Sequence, residues 1–194
     1  MRRAAPDATS AIAFERLYQS APDPWNFASS DYEQAKYAVT VAALSHTRYA
    51  RAYEPGCSIG ELTARLAPRC DRLLSTDIAP TAVVRARERF AGSPHVHVEC
   101  ADILDTPRSQ TFDLIVLSEI GYYFDAQTLA ALALRLEQVL EPVGEIVAVH
   151  WLGHSADHVL HGDEVHKILL DNLSLIHVQS ERHTGFRLDT WWKI

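Results

Sequence analysis

The sequence lacks the features that mark several protein classes, and each absence excludes one of them. No apolar run approaches the ~20 residues that a helix needs to cross a bilayer, and no apolar stretch of the secretory type follows the N-terminus. We therefore expect no membrane partner and no signal peptide. The cysteines are few and dispersed, at Cys57, Cys70 and Cys100, and form neither a disulfide framework nor a zinc-binding spacing. This usage predicts a cytoplasmic protein.

Basic residues are also in short supply, at 18 against 25 acidic residues, which gives a formal net charge of −7. Binding to a phosphate backbone usually rests on clustered Lys and Arg, so we expect no nucleic-acid partner. The net charge is compatible with a small-molecule or sugar substrate. The chain has 194 residues, 47% of them hydrophobic, which suits a single domain over 1–194 with a full core. We expect a monomer or a homodimer.

The first 47 residues predict a helical extension. A short helix is predicted over about 10–19 and is broken by Pro22-Asp23-Pro24. Ser30-Asp31-Tyr32-Glu33 then matches a capping box, which predicts a second helix to about residue 45. We expect residues 1–47 to act as a lid over a cofactor and its acceptor.

From residue 49 onwards, predicted strands alternate with helices. The strands cover 49–54, 72–78, 95–100, 112–118 and 145–150, and the helices cover 61–66, 80–90 and 126–140. This alternation is typical of βαβ units and a parallel sheet. The last two extended runs, 173–181 and 186–194, are separated by His183-Thr184-Gly185, which suits a hairpin. The pattern predicts an α/β, doubly wound, mostly parallel seven-stranded sheet with an antiparallel C-terminal strand.

The end of the first predicted strand carries a glycine-rich loop, Glu54-Pro55-Gly56-Cys57-Ser58-Ile59-Gly60. Glycines at this point let the backbone turn tightly and approach a ligand. The spacing is not the dinucleotide fingerprint G-x-G-x-x-G, which opposes a nicotinamide-dependent oxidoreductase. Asp77 ends the second strand, where a carboxylate can accept both hydroxyls of a ribose. Asp102 follows the third strand and could reach the amine of an adenine. These three strand ends together predict an adenosine site.

These residues, together with Phe112-Asp113-Leu114-Ile115-Val116, resemble the class I S-adenosylmethionine-dependent methyltransferases. Within that superfamily the chain resembles nodulation protein S and its relatives, which are N-methyltransferases acting on glucosamine units. That likeness rests on Asp23-Pro24-Trp25, Tyr32-Glu33-x-x-Lys36-Tyr37, the glycine loop and Ser118-Glu119-Ile120-Gly121-Tyr122-Tyr123.

The resemblance implies a Rossmann-like fold, S-adenosyl-L-methionine as cofactor and S-adenosyl-L-homocysteine as product. It implies methylation of a small polar metabolite, and we expect N-methylation of an amino sugar or a glucosamine-containing acceptor. The implied cofactor-binding residues are Trp25, Lys36, Tyr37, Glu54, Gly56, Cys57, Ser58, Gly60, Asp77, Ile78, Asp102, Ile103 and Ser118. The chain departs from the superfamily at Glu141-Pro142-Val143-Gly144, where two adjacent glycines are usual. We expect a local change in this turn and no loss of cofactor binding.

An amine must be neutral to attack the methyl group, so the site is expected to contain a residue that can take its proton. Glu119, His150 and His166 are the candidates, and Tyr122 is expected to act beside them. Tyr122, Tyr123 and Trp151 could pack against a sugar ring or the sulfonium. Tyr123 and Trp151 could equally be core residues, and His150 a core histidine tied to a carbonyl. Glu119 could serve only as a hydrogen-bond acceptor for the cofactor or for backbone amides.

Two alternatives in function stay open: an O-methyltransferase of a hydroxylated small molecule, and a protein that binds S-adenosylmethionine without catalysis. A metal site was a further candidate, because His154 and His158 would share one face of a helix. Gly153 and Gly162 interrupt that segment, so we expect no metal and a substrate-facing or pH-sensitive loop.

Overall fold

The computed structural model describes residues 10–105 and 110–194. The described residues divide into two compact units, a first unit that contains residues 10–105 and a second unit that contains residues 110–194. Residues 1–9 of the predicted lid lie outside the described residues. No helix within the described ranges is long and apolar enough to span a bilayer.

The first unit begins with two helices, α1 (Ala11–Ser20) and α2 (Asp31–Ala42), and continues as a parallel β/α alternation. The alternating elements are β1 (Ala52–Pro55), α3 (Glu61–Leu66), β2 (Leu73–Asp77), α4 (Pro80–Arg89) and β3 (Val96–Cys100). The strand order is β3-β2-β1, with both neighbouring pairs parallel. Every residue of β1 and β2 is buried, as expected of strands covered on both faces.

Capping explains where the first two helices begin. The Ser10 hydroxyl accepts a hydrogen bond from the Ala13 amide, and the Ser30 hydroxyl accepts one from the Glu33 amide. These contacts satisfy amide groups that a helix cannot pair internally. The serine half of the predicted capping box is therefore confirmed.

The second unit carries β4 (Phe112–Ser118), α5 (Ala126–Val139), β5 (Leu140–Trp151), α6 (Gly162–Asn172), β6 (Ile176–Arg182) and β7 (Phe186–Trp192). Its strand order is β4-β5-β7-β6. β4 and β5 are parallel, and β7 is antiparallel to both β5 and β6. The described residues thus provide the predicted seven-stranded, mostly parallel sheet with its antiparallel final strand.

The sequence pattern does not predict α6, which begins inside the histidine-rich segment for which we expect a loop. Its N-cap is His161, whose side chain accepts from the Asp163 amide, and Glu164 completes a capping box. Histidine is not among the usual N-cap residues, so the sequence gives no clear signal for the start of α6. Val165 and Leu169, four residues apart, supply the buried face.

The stretch Glu141-Pro142-Val143-Gly144, which lies within β5, contains one residue in the left-handed region. Val143 has a φ of 64° in the left-handed region, and 73% of its side chain is exposed. Hydrogen bonds on either side hold it there, from the Val143 amide to the Lys193 carbonyl and from the Lys193 amide to the Gly144 carbonyl, both at 2.9 Å. A β-branched residue is strained in this conformation, which glycine adopts without a steric cost.

Candidate functional site

The glycine loop of the first unit connects β1 to α3 and depends on glycine at two points. Gly56 and Gly60 have φ values of 76° and 84°, a region that residues with a Cβ rarely adopt. A Cβ on Gly60 would also lie 2.7 Å from the Phe90 ring. The amides of Gly56 and Cys57 donate to the Thr76 carbonyl at 2.7 and 2.9 Å, which fixes the loop against β2.

Asp77 lies directly against this loop, as the sequence predicted. Its Oδ2 accepts from the Ser58 amide at 2.8 Å, and its Oδ1 accepts from the Ala79 amide at 2.9 Å. Burial raises the pKa of Asp77, and the hydrogen bonds from Ala79 and Ser58 oppose that rise. Ile78, which follows, is half-buried at the end of the strand. The loop and the second strand thus form one hydrogen-bonded wall.

Glu54 lies beneath the loop with its side chain 2% exposed. Its Oε2 accepts from the Thr63 hydroxyl at 2.6 Å and from the Ser75 hydroxyl at 3.0 Å. Burial raises the pKa of Glu54 to about 7, although the two hydroxyls lower it; the nearby Asp77 carboxylate adds to the rise. Such a carboxyl is half-ionised near neutral pH, and a cation placed beside it would complete its ionisation.

The Cys57 side chain packs in the loop and does not act as a reactive thiol. Its thiol is buried, and burial raises its pKa well above the ordinary value, with the carboxylates of Asp77 and Glu54 adding to the effect. A thiol that stays protonated is a poor nucleophile. Cys57 is therefore a small apolar residue at this position.

Asp102 and Ile103 follow β3, the third strand of the wall. Asp102 Oδ1 accepts from the Leu104 amide at 2.9 Å and so shapes the short turn Ile103–Asp105. Ile103 is buried. The Ala101 amide donates to the Asp77 carbonyl at 3.0 Å, which joins this stretch to the end of β2.

Helix α1 contacts the glycine loop through a residue that sequence reasoning missed. The Tyr18 hydroxyl donates to the Ser58 hydroxyl at 2.6 Å. Trp25 packs with Tyr18 at 5.5 Å between ring centroids, and both belong to a cluster that includes Ile59 of the loop. Glu15 on the same helix accepts from the amide of Thr81 at 2.9 Å. The available signal was the i, i+4 spacing of Phe14 and Tyr18 on the predicted helix.

Lys36 and Tyr37 lie on α2, which packs against α3. Both are buried, and Lys36 Nζ lies 3.0 Å from the Glu33 carboxylate. The Arg65 guanidinium of α3 lies 6.0 Å from the centre of the Tyr37 ring. The structure thus places these two predicted residues beside the helix that leaves the glycine loop, and their role in binding stays a prediction.

Ser118 and Glu119 end β4 in the second unit. Ser118 is buried, and Glu119 has a φ of 59°. Glu119 Oε2 accepts from the Tyr122 hydroxyl at 2.6 Å and from the Trp151 amide at 3.3 Å. A left-handed residue other than glycine at the end of a buried strand is a strained position of the kind that clusters at functional sites.

A buried row of hydrogen bonds leads from the turn that follows Glu119 through His150 and His166. The Gly121 amide donates to His150 Nε2 at 3.0 Å, His150 Nδ1 lies 3.2 Å from His166 Nε2, and His166 Nδ1 contacts Asp189 Oδ2. Since an amide can only donate, two neutral rings satisfy this row with protons on both Nδ1 atoms. Both histidines are fully buried.

Asp189 ends the row, and its carboxylate accepts hydrogen bonds from several donors. Arg187 Nε lies 2.7 Å from its Oδ2, and His177 Nε2 lies 3.0 Å from its Oδ1. Although burial opposes it, the hydrogen bond from His166 and those from its other donors hold the pKa of Asp189 well below the ordinary range. Burial lowers the pKa of His166 against the effect of Asp189, which keeps that ring neutral.

This row limits what the two histidines can do. Each ring nitrogen of His150 and His166 already faces a partner, and neither ring reaches solvent. A Cβ on Gly121 would lie 2.8 Å from His150 Nε2 and 2.5 Å from a Val165 methyl. The geometry therefore supports a positioning role, in which His150 holds the turn that follows Glu119. Within the described residues, no group of three or more His, Cys, Asp or Glu side chains could hold a metal ion.

Comparison with known proteins identifies a family that covers most of the chain. The family model described as "Nodulation protein S (NodS)" matches residues 13–184. Nodulation protein S of Sinorhizobium fredii is 35% identical over 130 residues, which are 66% of this chain and 60% of that protein. Nodulation protein S of Rhizobium tropici is 32% identical over 130 residues, 66% of this chain and 55% of that protein. The matches thus span less than two thirds of these relatives' length.

Solved structures extend the likeness over more of the chain. The NodS N-methyltransferase of Bradyrhizobium japonicum, solved with S-adenosyl-L-homocysteine, is 27% identical with a TM-score of 0.85, over 96% of this chain and 99% of that one. A proposed methyltransferase from Pseudomonas syringae is 40% identical with a TM-score of 0.74, over 84% of this chain and 99% of that one. The predicted fold class and the predicted resemblance are confirmed.

Proposed function

Because this chain belongs to the nodulation protein S family, we propose that it is an S-adenosyl-L-methionine-dependent N-methyltransferase of a small polar acceptor. The observation that carries the proposal is the hydrogen bond of 2.8 Å between the Ser58 amide and Asp77. It joins the glycine loop to the acidic residue at the end of the neighbouring strand, which is the arrangement an adenosine moiety requires.

The residues of the first unit fit this cofactor. The left-handed Gly56 and Gly60 leave backbone without a Cβ at the loop, where a ligand can approach closely. The buried Glu54 has a pKa of about 7, so the ammonium of a methionine moiety would favour its ionised form. Asp77 and Asp102 follow as hydrogen-bond acceptors for the ribose and the adenine. When bound, the cofactor supplies an electrophilic methyl group.

The chain's own task in such a transfer is alignment and exclusion of water. Tyr18 holds Ser58 of the loop, and we propose that α1 and α2 act as the lid predicted for residues 1–47. In the second unit, the strained Glu119 and its partner Tyr122 are the groups we propose to face the acceptor. His150 and His166 act on this turn through the Gly121 amide.

The proposed acceptor is an amino sugar or another glucosamine-containing molecule. The relatives are named as nodulation proteins, and the solved relative as an N-methyltransferase. The net charge of −7 favours a cationic acceptor over an anionic one. Tyr123 and Trp151, which lie near Glu119 and are only partly buried, offer aromatic rings of the kind that pack against sugars and cations.

The binding half of the proposal is tested by calorimetry. We expect saturable binding of S-adenosyl-L-methionine and none of NAD(H). Asp77→Ala should weaken cofactor binding at least tenfold, because Asp77 both shapes the loop and faces the ribose. Asp71→Ala, which removes an exposed carboxylate paired with Arg48, is the matched control and should bind normally. Tight NAD(H) binding without S-adenosyl-L-methionine binding would refute the proposal.

The catalytic half is tested with a methyl-labelled cofactor and paired acceptors. Glucosamine and its oligomers should take up label, and the same sugars with acetylated nitrogen should not. Label on both members of each pair would identify an O-methyltransferase instead. Tight cofactor binding with no label on any amine or hydroxyl acceptor would identify a binding protein without this activity.

A further inference from the structure

A cluster of aromatic rings encloses His158 in the second unit. The imidazole is stacked on the Tyr122 ring, with centroids 3.7 Å apart and planes 18° apart. Tyr123 and Trp151 meet it edge to face at 5.3 and 5.9 Å. Contact on several sides leaves the ring one orientation, which is what a group must have to transfer a proton.

The backbone fixes the same position. The amides of Val159 and Leu160 donate to the Tyr122 carbonyl at 2.8 and 3.1 Å, so the residues after His158 are tied to the turn that follows β4. The hydroxyl of the same tyrosine donates to Glu119 at 2.6 Å. His158 and Glu119 thus share Tyr122, at the carboxyl end of a strand where ligands of α/β sheets bind.

His158 differs from His150 and His166 in having unused hydrogen-bonding capacity. The other two rings have both nitrogens engaged and are fully buried. The His158 ring is half-buried, and its Nδ1 has no hydrogen-bond partner among the described residues. A buried polar atom without a partner is rare and often marks a functional position.

We propose, building on the N-methyltransferase function above, that His158 accepts the proton released by the acceptor amine. The protonated amine R–NH₃⁺ loses one proton to a ring nitrogen of His158, which gives R–NH₂ and an imidazolium. The amine lone pair then forms the nitrogen–carbon bond to the methyl group, and the carbon–sulfur bond breaks with its electron pair left on sulfur. The products are R–NH₂⁺–CH₃, S-adenosyl-L-homocysteine and protonated His158, which returns its proton to water.

The charges around the ring suit this task. Burial lowers the pKa of His158, the carboxylates of Asp157 and Glu119 raise it, and His161 and His154 lower it. The net direction is downward, so the ring is neutral at pH 7 and able to take a proton. The Tyr122 ring stacked below it stabilises the cation that results.

The test compares His158→Ala with His97→Ala, whose imidazole is exposed on β3. With a glucosamine acceptor, His158→Ala should lower kcat/KM at pH 7 by roughly 100-fold. The deficit should shrink as the pH rises above the pKa of the amine, because the acceptor is then already neutral. Added imidazole should restore part of the rate. His97→Ala should behave like the wild type, and all three proteins should bind S-adenosyl-L-methionine equally.

A loss that is the same at every pH and insensitive to imidazole would overturn the proposal, because His158 would then only support the cluster. NMR titration of the wild-type ring, which needs no variant, should show it neutral at pH 7; a charged ring would also overturn it. An unchanged rate in His158→Ala refutes this inference alone. Failure of the wild type to methylate any amine refutes the proposed function and this inference with it.

Discussion

Glu54 gives the most direct test of how the cofactor loop is held. Its carboxyl is buried and bonded to two hydroxyls, and Glu54→Gln keeps its size and its carbonyl acceptor while removing its ionisation. We expect the variant to be more stable than the wild type at pH 8 and to bind S-adenosyl-L-methionine more weakly. The reason is that the wild type must ionise a buried group as the pH rises.

The magnitude follows from proton linkage. The pKa of Glu54 rises from 4.5 in the unfolded chain to about 7 in the fold, so the folded state holds more protons between these values. The stabilisation is fully present below pH 4.5 and is lost as the pH passes through 7. The shift corresponds to about 3 kcal/mol of unfolding free energy. Glu54→Gln does not lose this free energy as the pH rises, because its side chain does not ionise.

Urea unfolding of the ligand-free protein at pH 5, 6, 7 and 8 measures the effect. The difference in free energy between Glu54→Gln and the wild type should grow by roughly 2 to 3 kcal/mol across this range. Other titrating groups cancel in the difference, since both proteins carry them. Glu99→Gln, which makes the same chemical change at an exposed glutamate of β3, is the matched control.

A pH-independent difference for Glu54→Gln would refute the reasoning. It would mean that the carboxyl titrates alike in the folded and unfolded chains, and that burial does not hold its proton. The proposal that an ammonium group completes its ionisation would then lose its physical basis.

Three further substitutions test the second unit by thermal unfolding. Gly121→Ala should cost about 1–3 kcal/mol through overpacking, whereas Gly92→Ala, which meets no atom within 4 Å, should be nearly neutral; equal values would contradict the packing. Val143→Gly should relieve strain of about 1 kcal/mol and raise the Tm by a few degrees, and a lower Tm would show that no strain is stored. Asp189→Asn should cost about 3 kcal/mol and Asp171→Asn, in an exposed pair, less than 1 kcal/mol; equal costs would show that the buried row adds no stability.

Much of the fold could be predicted from local signals. Residue types with strong backbone preferences predict the glycine loop, the end of the second strand at Asp77 and the hairpin before β7. The start of α6 could not be predicted, because its capping residue is a histidine and its first residue a glycine. Strand β5 begins at Leu140 rather than at 145, since pairing with a distant strand extended it beyond its local pattern.

The site was less predictable than the fold, because its decisive contacts join residues far apart in sequence. The hydrogen bond from Tyr18 to Ser58 crosses 40 positions, and that from His166 to Asp189 crosses 23. A histidine beside a strand end reads as a candidate base until its partners are known. For His150 those partners are the Gly121 amide and His166, which leave it a positioning role.

The row from Gly121 to Asp189 has a direct spectroscopic consequence. Its two Nδ1 protons, on His150 and His166, are shielded from water on all sides and each lies in a hydrogen bond. Ring protons of exposed histidines such as His154 exchange with solvent too fast to be seen. The protein should therefore show two sharp, far-downfield proton resonances that persist in water. Their presence would report, without any substrate, that the turn behind Glu119 is assembled.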